Sequence, residues 1–462
     1  MITHNFWHIF YKLTIGYDEN RTFTTPQSHR LTNIDTVEAD MYMINDAMVS
    51  VVVRWTMWQN RSCSNSSIHK HLISKITATG PISVAEYMRE ALTNPVAGYY
   101  VKNDMLGAGG DFITSPEISQ IFGELLGVWC VSEWMAAGKS NMFQLVELGP
   151  GRGSLASDIL RVFSQLKTVL GETDISVHLV EVSPKLSQFQ AECLTGGNTQ
   201  SSDGDQPVYR SGTTRTGLPI YWYRRIEDIP RGFSVFLAHE FFDALPIHKF
   251  QKTEKGWREV MVDIDPESPE KLRFVVSHSP TLASSVLIQK DENRKHVEVC
   301  PEGGVIVQKL ANRIAEDGGA ALIVDYGHDG TKTDTFRGFK GHQLHNVLEA
   351  PGMADMTADV DFSYLRKMTG NEVTCLGPIT QRSFLKNMGI DSRLQVLLRN
   401  CHDPSTRAQL IHSYDMLINP EKMGHRFQFF SVLNRGRLSQ YKGMQKNTAP
   451  LPVAGFAELD IQ

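Results

Sequence analysis

The sequence predicts an α/β protein organised around a doubly wound sheet of mostly parallel strands. Residues 143–148 are typical of a strand buried on both faces, because the run is apolar and ends at glycines. A glycine turn follows at 149–153, and a helix with apolar positions three or four apart begins near Ser154. Two later apolar stretches, 177–182 and 232–238, repeat the strand pattern. Strand, turn and helix together form a cradle of the kind that binds nucleotides.

The glycine turn predicts a ligand site at the carboxyl end of the first strand. Glycine allows close approach of the backbone and positive φ, and the helix start offers free N–H groups. A nicotinamide dinucleotide fingerprint needs a glycine at the sixth position from Gly149, which is Ser154, so that pattern fails. The pattern acid-x-Gly-x-Gly-x-Gly, from Glu147 to Gly153, resembles the first motif of class I S-adenosylmethionine (SAM) methyltransferases. An ordinary tight turn is the alternative for this motif alone.

Two acids at strand ends support a cofactor site. Glu147 ends the first strand, where a carboxylate can hold the ammonium group of SAM. Glu181 lies at the carboxyl end of the next strand, where open α/β sheets bind ligands, and can accept both ribose hydroxyls. A solvated or helix-capping glutamate is the alternative for Glu181.

Composition excludes several classes of protein. A chain of 462 residues suggests two domains, or one domain with large insertions. The net charge of −5 does not indicate the basic surface that nucleic-acid binding requires, and no apolar run reaches the length of a membrane span. Six scattered cysteines without a C-x-x-C pair argue against a zinc site and against a disulfide scaffold.

The first 79 residues are predicted to be a disordered leader. From Met48 to Ala85 the chain has no Asp or Glu, several Arg and Lys, and a serine cluster at 62–67. This is the composition of a mitochondrial transit peptide, so we expect Met48 to be a working start and 1–47 an upstream extension. A disordered tail without a targeting role is the alternative.

Residues 80–140 are predicted to be a helical segment that carries a lid over the cofactor. Ser83 and Glu86 form a capping box, and Ser115 with Pro116 marks a second helix start. The glycine-rich loop before Ser115 can close over a ligand, and a plain connector is the alternative. The polar residues expected to contact the cofactor here are Asp111, Thr114 and Ser115, with Glu117 in the substrate pocket.

The stretch after the strand at 232–238 is the candidate catalytic segment. It reads His-Glu-Phe-Phe-Asp, so Glu240 and Asp243 follow a strand end with Phe241 and Phe242 between them. Capping of a helix start is the alternative role for the two acids.

The rest of the chain is predicted from weaker patterns. The expected features are a surface loop at 195–217, an antiparallel and helical insertion at about 247–318, a strand at 320–325, helices at 380–399 and 405–419, a strand at 427–433 and a tail at 436–462. A long polar loop at 331–361 is expected to be functional and to bring His345 to the substrate pocket. Its histidines and acids lack ligand spacing, so we predict no metal.

Five blocks in order make a more specific resemblance. They are GDFITSPEISQIFGE (110–124), QLVELGPGRG (144–153), LAHEFFDALPIHKFQ (237–251), VDYGHDGTKTDTFRG (324–338) and DMTADVDFSYL (355–365). They resemble the MidA-like family of mitochondrial protein arginine methyltransferases, which act as assembly factors for respiratory complex I. The resemblance covers roughly 80–460. It implies a class I SAM-methyltransferase domain at 141–435, a matrix location, and symmetric dimethylation of an arginine on a core complex I subunit.

The resemblance also gives the candidate residues their roles. Gly149, Gly151 and Gly153 are expected to hold SAM together with Glu147 and Glu181. Arginine has a pKa above ~12, so carboxylates must align the guanidinium and draw its charge to one side. We expect Glu240 to do so first and Asp243 second, with the two phenylalanines walling the pocket. A non-catalytic SAM-binding assembly chaperone and a small-molecule methyltransferase remain alternatives, and the oligomeric state is left open.

Overall fold

The structure is a computed structural model that describes residues 67–102, 114–202, 204, 206–439 and 453–457. Of the acid-free stretch from Met48 to Ala85, residues 48–66 lie outside the described residues, as do the glycine-rich loop before Thr114 and Asp111. The strands are β1 (Ile82–Ser83), β2 (Met142–Leu148), β3 (Asp174–Val180), β4 (Thr199–Ser201), β5 (Val208–Thr213), β6 (Pro219–Tyr223), β7 (Ser234–His239), β8 (His248–Thr253), β9 (Gly256–Ile264), β10 (Leu272–Val276), β11 (His296–Val299), β12 (Gly319–His328), β13 (Arg337–Lys340), β14 (Gln343–His345), β15 (Asp355–Thr357), β16 (Val360–Asp361), β17 (Val373–Thr380) and β18 (Phe427–Asn434). The helices are α1 (Ser67–Thr79), α2 (Val84–Thr93), α3 (Tyr99–Lys102), α4 (Ser115–Ile118), α5 (Gln120–Ala136), α6 (Ser154–Gln165), α7 (Lys167–Leu170), α8 (Pro184–Thr195), α9 (Leu282–Leu287), α10 (Pro301–Asp317), α11 (Phe362–Met368), α12 (Gln381–Asn387), α13 (Ile390–Asn400), α14 (Pro404–Ile418) and α15 (Arg435–Ser439).

The central sheet has the order β17-β18-β12-β7-β2-β3-β6-β5-β4, with β16 paired to β12. Its middle strands β12, β7, β2, β3 and β6 are parallel, and β18 runs antiparallel between β12 and β17. The predicted doubly wound α/β fold is confirmed.

The winding of this sheet locates a ligand crevice. The chain begins the parallel part at β2, adds β3 and β6 on one side, then returns to add β7 and β12 on the other. The winding direction therefore reverses between β2 and β7. In open α/β sheets, ligands bind outside the carboxyl ends of the strands at such a switch point. The glycine turn follows β2, and the candidate catalytic segment follows β7.

Helices α5 and α6 cover one face of the sheet. The predicted helix after the glycine turn is confirmed, and its apolar stripe Leu155, Ile159 and Phe163 is buried. Helix α5 is buried on nearly all sides and contacts α6 and α13. Its two buried acids are paired: Arg393 Nε lies 2.9 Å from Glu124 Oε2, and Arg437 Nε lies 3.1 Å from Glu133 Oε2.

The predicted antiparallel insertion forms a separate sheet. Its order is β1-β9-β8-β11, with β10 paired to β9, and the strands within the insertion pair antiparallel as expected. Strand β1 comes from the N-terminal segment and pairs Ile82 with Val262. The N-terminal segment is therefore tied to the insertion. A third, small sheet of order β14-β13-β15 lies within the stretch 331–361 that was expected to be a loop.

Four predicted boundaries are wrong. The leader does not extend to residue 79, because α1 buries Ile68, Leu72 and Ile76. The surface loop at 195–217 contains β4 and β5, which extend the sheet edge beyond β6 and are polar because edge strands are half solvated. The tail does not begin at 436, because α15 buries Arg437 and residues 453–454 are buried as well.

The fourth wrong boundary is the helix start near Ser115. The N-cap is Thr114, whose capping box with Glu117 places the start one residue earlier. The helix then breaks at Ser119, which has extended backbone and caps α5.

Candidate active site

A cavity of about 270 Å³ opens at the carboxyl ends of β2, β3 and β7. One water needs only about 10–15 Å³, so the space suits a larger ligand. Its walls include residues 149–152 after β2, 181–183 after β3 and 239–241 after β7. Tyr99 and Tyr100 close one side, and Asp355 and Thr357 of the small sheet close another. The cavity thus occupies the switch point of the sheet.

The glycine turn takes the left-handed conformation that only glycine adopts without strain. The φ angles are +62° at Gly149, +54° at Gly151 and +84° at Gly153. A Cβ on Gly149 would lie 2.8 Å from Phe241 Cδ2, so the turn has no room for a side chain there. Gly149 and Gly151 line the cavity. Gly153 lies outside the lining formed by the described residues, because it caps α6, and a Cβ added to it would lie 3.3 Å from Leu194 Cδ1.

Glu147 lines the cavity and has one buried, unpaired oxygen. One carboxylate oxygen is available to the Ala156 N–H, whereas Oε2 has no partner among the described residues. The side chain is 4% exposed, and burial raises its pKa to about 8. A buried acceptor without a partner is costly, so this position favours a ligand with a cationic or N–H group.

Glu181 is joined to the glycine turn by Gln190. The Glu181 carboxylate accepts the Ser183 N–H at 2.7 Å and Gln190 Nε2 at 3.0 Å. The same Gln190 Nε2 lies 2.8 Å from the Gly151 carbonyl, and Trp222 Nε1 donates to Gln190 Oε1 at 3.0 Å. Burial raises the pKa of Glu181. The fully buried Gln190 therefore fixes the spacing between the two expected cofactor contacts, a role that the sequence did not indicate.

Glu240 and Asp243 face the cavity from the turn after β7. The Glu240 carboxylate accepts the Ser115 N–H, while its Oε1 has no hydrogen bond within the described chain and lies 3.5 Å from His239 Nε2. Asp243 Oδ1 is also unpaired among the described residues. Burial, and then the charge of Asp243, raises the pKa of Glu240. Burial raises the pKa of Asp243 to about 7, against the opposing charge of Arg337.

Asp325, on the neighbouring strand β12, organises this turn. It is completely buried and accepts the N–H groups of Phe241, Phe242 and Asp243 at 3.2, 2.9 and 3.2 Å. Glu240 has φ +49°, which costs a non-glycine residue about 1–3 kcal/mol. Three hydrogen bonds to a carboxylate, at about 1.5–3 kcal/mol each, exceed that cost. The only signal in the sequence was an acid at a strand end.

Some predicted residues lie elsewhere. Phe241 lines the cavity, but Phe242 is 3% exposed and packs into the core, since neighbouring side chains of this turn point in different directions. His345 ends β14, where its Nε2 bonds the Glu349 carbonyl at 3.0 Å, and it is absent from the cavity wall that the described residues form. The Ser115 side chain is likewise absent from that wall, because the residue is fully buried behind it.

Thr114 and Glu117 do line the cavity. Sequence reasoning missed further lining residues, among them Tyr100, Tyr326 and Asp355. Tyr100 Oη donates to Asp355 Oδ1 at 2.8 Å. These two residues are 255 positions apart, and periodicity within a window cannot reveal such a contact.

The sheet order and the glycine cradle with its unpaired acid define a class I SAM-dependent methyltransferase. Residues 125–379 match the family model described as "Putative S-adenosyl-L-methionine-dependent methyltransferase". The fold is similar, at TM-score 0.65 and 24% identity, to a COG1565 superfamily member from Burkholderia thailandensis bound to S-adenosyl-homocysteine. That comparison covers 85% of this chain and 94% of the other.

Three curated relatives carry more specific names. "Protein arginine methyltransferase NDUFAF7, mitochondrial" is 82% identical in Danio rerio over 88% of this chain and 97% of the relative. The Homo sapiens protein of that name is 62% identical over 85% and 90%. The homologue in Drosophila melanogaster is 50% identical over 80% and 85%. The chain therefore belongs to the NDUFAF7 family of SAM-dependent methyltransferases, which confirms the resemblance found in the sequence blocks.

The residues present fit SAM, the cofactor of this family. Glu147 offers an unpaired carboxylate oxygen for the ammonium group, and a Cβ would obstruct the cradle at Gly149. Glu181 lies at the adjacent strand end for the ribose. Within the described ranges, no helix is both long and apolar enough to cross a membrane.

Proposed function

We propose that this chain is a SAM-dependent protein arginine methyltransferase of the mitochondrial matrix that modifies a core subunit of respiratory complex I. The names of the relatives support the activity and the organelle. The acid-free stretch from Met48 to Ala85 supports import. The complex I subunit as target follows from the family resemblance. In this proposal the leader ends before α1, and the methyltransferase domain spans 141–435 with its insertion at about 247–318.

One observation supports the arginine assignment: besides Glu147 and Glu181, which are expected to hold SAM, four further carboxylates line the cavity. They are Glu117, Glu240, Asp243 and Asp355. Glu240 Oε1 and Asp243 Oδ1 have no partner in the part of the chain that the structure describes. A guanidinium has five N–H donors in a rigid planar fork and no acceptor, which matches the unpaired oxygens of Glu240 and Asp243.

Glu240 has the central role in the proposed reaction. It accepts two N–H groups of the guanidinium, draws positive charge toward itself and leaves the third nitrogen electron-rich. Asp243 supports the opposite edge of the group and accepts the proton that the attacking nitrogen loses as its bond to the methyl carbon forms. When bound, SAM supplies an electrophilic methyl group with a neutral thioether as leaving group. The protein mainly holds the two reactants in line and excludes water.

The Glu240→Gln variant tests this role. It keeps the size and one acceptor but removes the charge. We expect SAM binding within about twofold of wild type, because Glu240 lies apart from the glycine turn and Glu181. Methyl transfer to purified core subunits of complex I should fall by ~10²-fold or more. The rate of methyl transfer is measured by incorporation of radiolabel from SAM, and mass spectrometry identifies the methylarginine.

Glu259→Gln is the matched control. Glu259 is 3% exposed and bonds His248 and Thr281 in the antiparallel sheet, away from the cavity. It should keep normal turnover. If wild-type protein binds SAM but transfers no methyl group to any core subunit, the chain is a SAM-binding assembly chaperone. Normal turnover with a lowered melting temperature in Glu240→Gln would reduce Glu240 to a structural role.

A further inference from the structure

Asp325 is a buried carboxylate that makes no part of the cavity wall formed by the described residues. Its Oδ2 accepts three consecutive backbone N–H groups, those of Phe241, Phe242 and Asp243. Its Oδ1 accepts the N–H of Tyr326 at 2.9 Å. A carboxyl group can accept at both oxygens, whereas the amide of asparagine, which has the same size, has only one acceptor oxygen.

The backbone that Asp325 holds makes an abrupt turn. The Glu240 N–H still bonds the Val324 carbonyl at 3.0 Å, so β7 remains paired with β12 up to this residue. Glu240 then adopts the left-handed conformation, and the next N–H is the first that bonds Asp325. Two adjacent residues of β12, Val324 and Asp325, therefore hold both sides of the turn.

We propose that Asp325 is a positioning residue, which holds the turn after β7 so that Glu240 and Asp243 present their carboxylates to the cavity together. The turn places both unpaired oxygens at one wall. The hydrogen bonds from Phe241, Phe242 and Asp243 to Asp325 are called the clamp below. Without the clamp, the strained φ at Glu240 would relax and the two acids would separate. The effect on catalysis rests on the proposed function, whereas the clamp itself does not.

The test compares Asp325→Asn with Ser234→Ala. Asparagine replaces one acceptor oxygen with an NH₂ group that faces N–H donors, so the clamp breaks. Ser234 begins β7, the strand that leads into the turn, is 1% exposed, and donates to Gln144 Oε1 at 2.8 Å. Each substitution disturbs buried hydrogen bonding, but only Asp325→Asn disturbs the turn.

We expect Asp325→Asn to lower kcat by ~10²-fold on the subunit that the wild-type protein methylates, the scale for one positioned transition-state group. The Kd for SAM should stay within twofold. Ser234→Ala should keep kcat within twofold at a temperature where both variants are folded. A kcat for Asp325→Asn within threefold of wild type would overturn the proposal.

A double-mutant cycle separates positioning from general damage. If Asp325 acts through Glu240, the Glu240→Gln and Asp325→Asn double variant should lose no more activity than the worse single variant. Losses that multiply, to ~10⁴-fold, would mean that Asp325 acts independently of Glu240.

Hydrogen exchange on the wild-type protein needs neither activity nor a folded variant. The amides of Phe241, Phe242 and Asp243 should exchange as slowly as the core of β7, because all three are bonded to Asp325. Fast exchange of these amides would reject the clamp. An inactive wild-type protein with slow amides would instead reject the proposed function and leave the clamp standing.

Discussion

The affinity for SAM should depend steeply on pH through Glu147. Its carboxyl is buried with one unpaired oxygen, and its pKa lies at about 8 rather than the ordinary 4.5. The acid is therefore mostly protonated in the free protein at neutral pH. If Glu147 holds the cofactor's ammonium, it must ionise on binding and release a proton.

The magnitude follows from the ionised fraction. With a pKa of about 8, the carboxylate is ionised to roughly 1% at pH 6 and roughly 10% at pH 7, so the association constant should rise about tenfold. Above pH ~8 the affinity should fall again, because an α-amino group loses its proton near 7.7–8.0. Calorimetric titration with S-adenosylhomocysteine from pH 6 to 9, in buffers of different ionisation enthalpy, measures both the constant and the released proton.

Glu147→Gln is the decisive variant. It should bind more weakly at pH 8 and lose the rise between pH 6 and 7. A carboxyl whose pKa is raised by folding stabilises the folded state below its unfolded pKa, and this contribution is lost as pH rises through about 8. Glu147→Gln should therefore raise the melting temperature of the free protein at pH 8 more than at pH 5. A wild-type affinity that is flat from pH 6 to 7, or a variant that keeps the slope, would refute this role.

Three further predictions concern the cofactor and targeting. Gly151→Val should abolish SAM binding, because φ is +54° there and a β-branched residue resists it; a folded variant with unchanged affinity would contradict this. Glu181→Ala should raise the Kd for SAM at least ~10-fold, since charge-assisted hydrogen bonds are worth about 1.5–3 kcal/mol each. An unchanged Kd would mean that Glu181 serves only as a hydrogen-bond partner of Gln190. A chain beginning at Met48 should enter mitochondria and be trimmed upstream of Ser67. The double substitution Arg54→Glu and Arg61→Glu should block this import, and cytosolic retention of the unsubstituted Met48 chain would rule out a transit peptide.

The cofactor half of the site could be predicted because its signals are local. β2, the glycine turn and α6 are contiguous, and a strand buried on both faces is a nearly continuous apolar run. Glu147 and Glu181 follow from the strand ends. The candidate acids after β7 follow from the same rule, and the structure brings both to the same cavity.

The rest of the site depends on contacts between distant parts of the chain. Asp325 meets Phe241 across 84 positions, and Tyr100 meets Asp355 across 255. Phe241 and Phe242 are adjacent phenylalanines, but Phe241 lines the cavity and Phe242 packs in the core. Strand β5 was missed because none of its residues is fully buried, so the strand shows no clear apolar period. Packing decides each of these cases, and no pattern along the chain encodes it.

The paired acids of α5 bear on the order in which the chain can fold. Glu133 is paired with Arg437, 304 residues later, whereas Glu124 is paired both with Arg393 and with the much nearer Arg161, whose Nη2 lies 3.5 Å from Glu124 Oε1. In a polypeptide that emerges from its N-terminus, α5 therefore carries the Glu133 carboxylate without this partner until almost the whole chain has appeared. Leaving such a group buried and unpaired costs about 3–5 kcal/mol, so the core cannot close early. A premature stop codon near residue 430 should yield a chain that chaperones hold and proteases remove, even though every residue of the cofactor cradle has been synthesised.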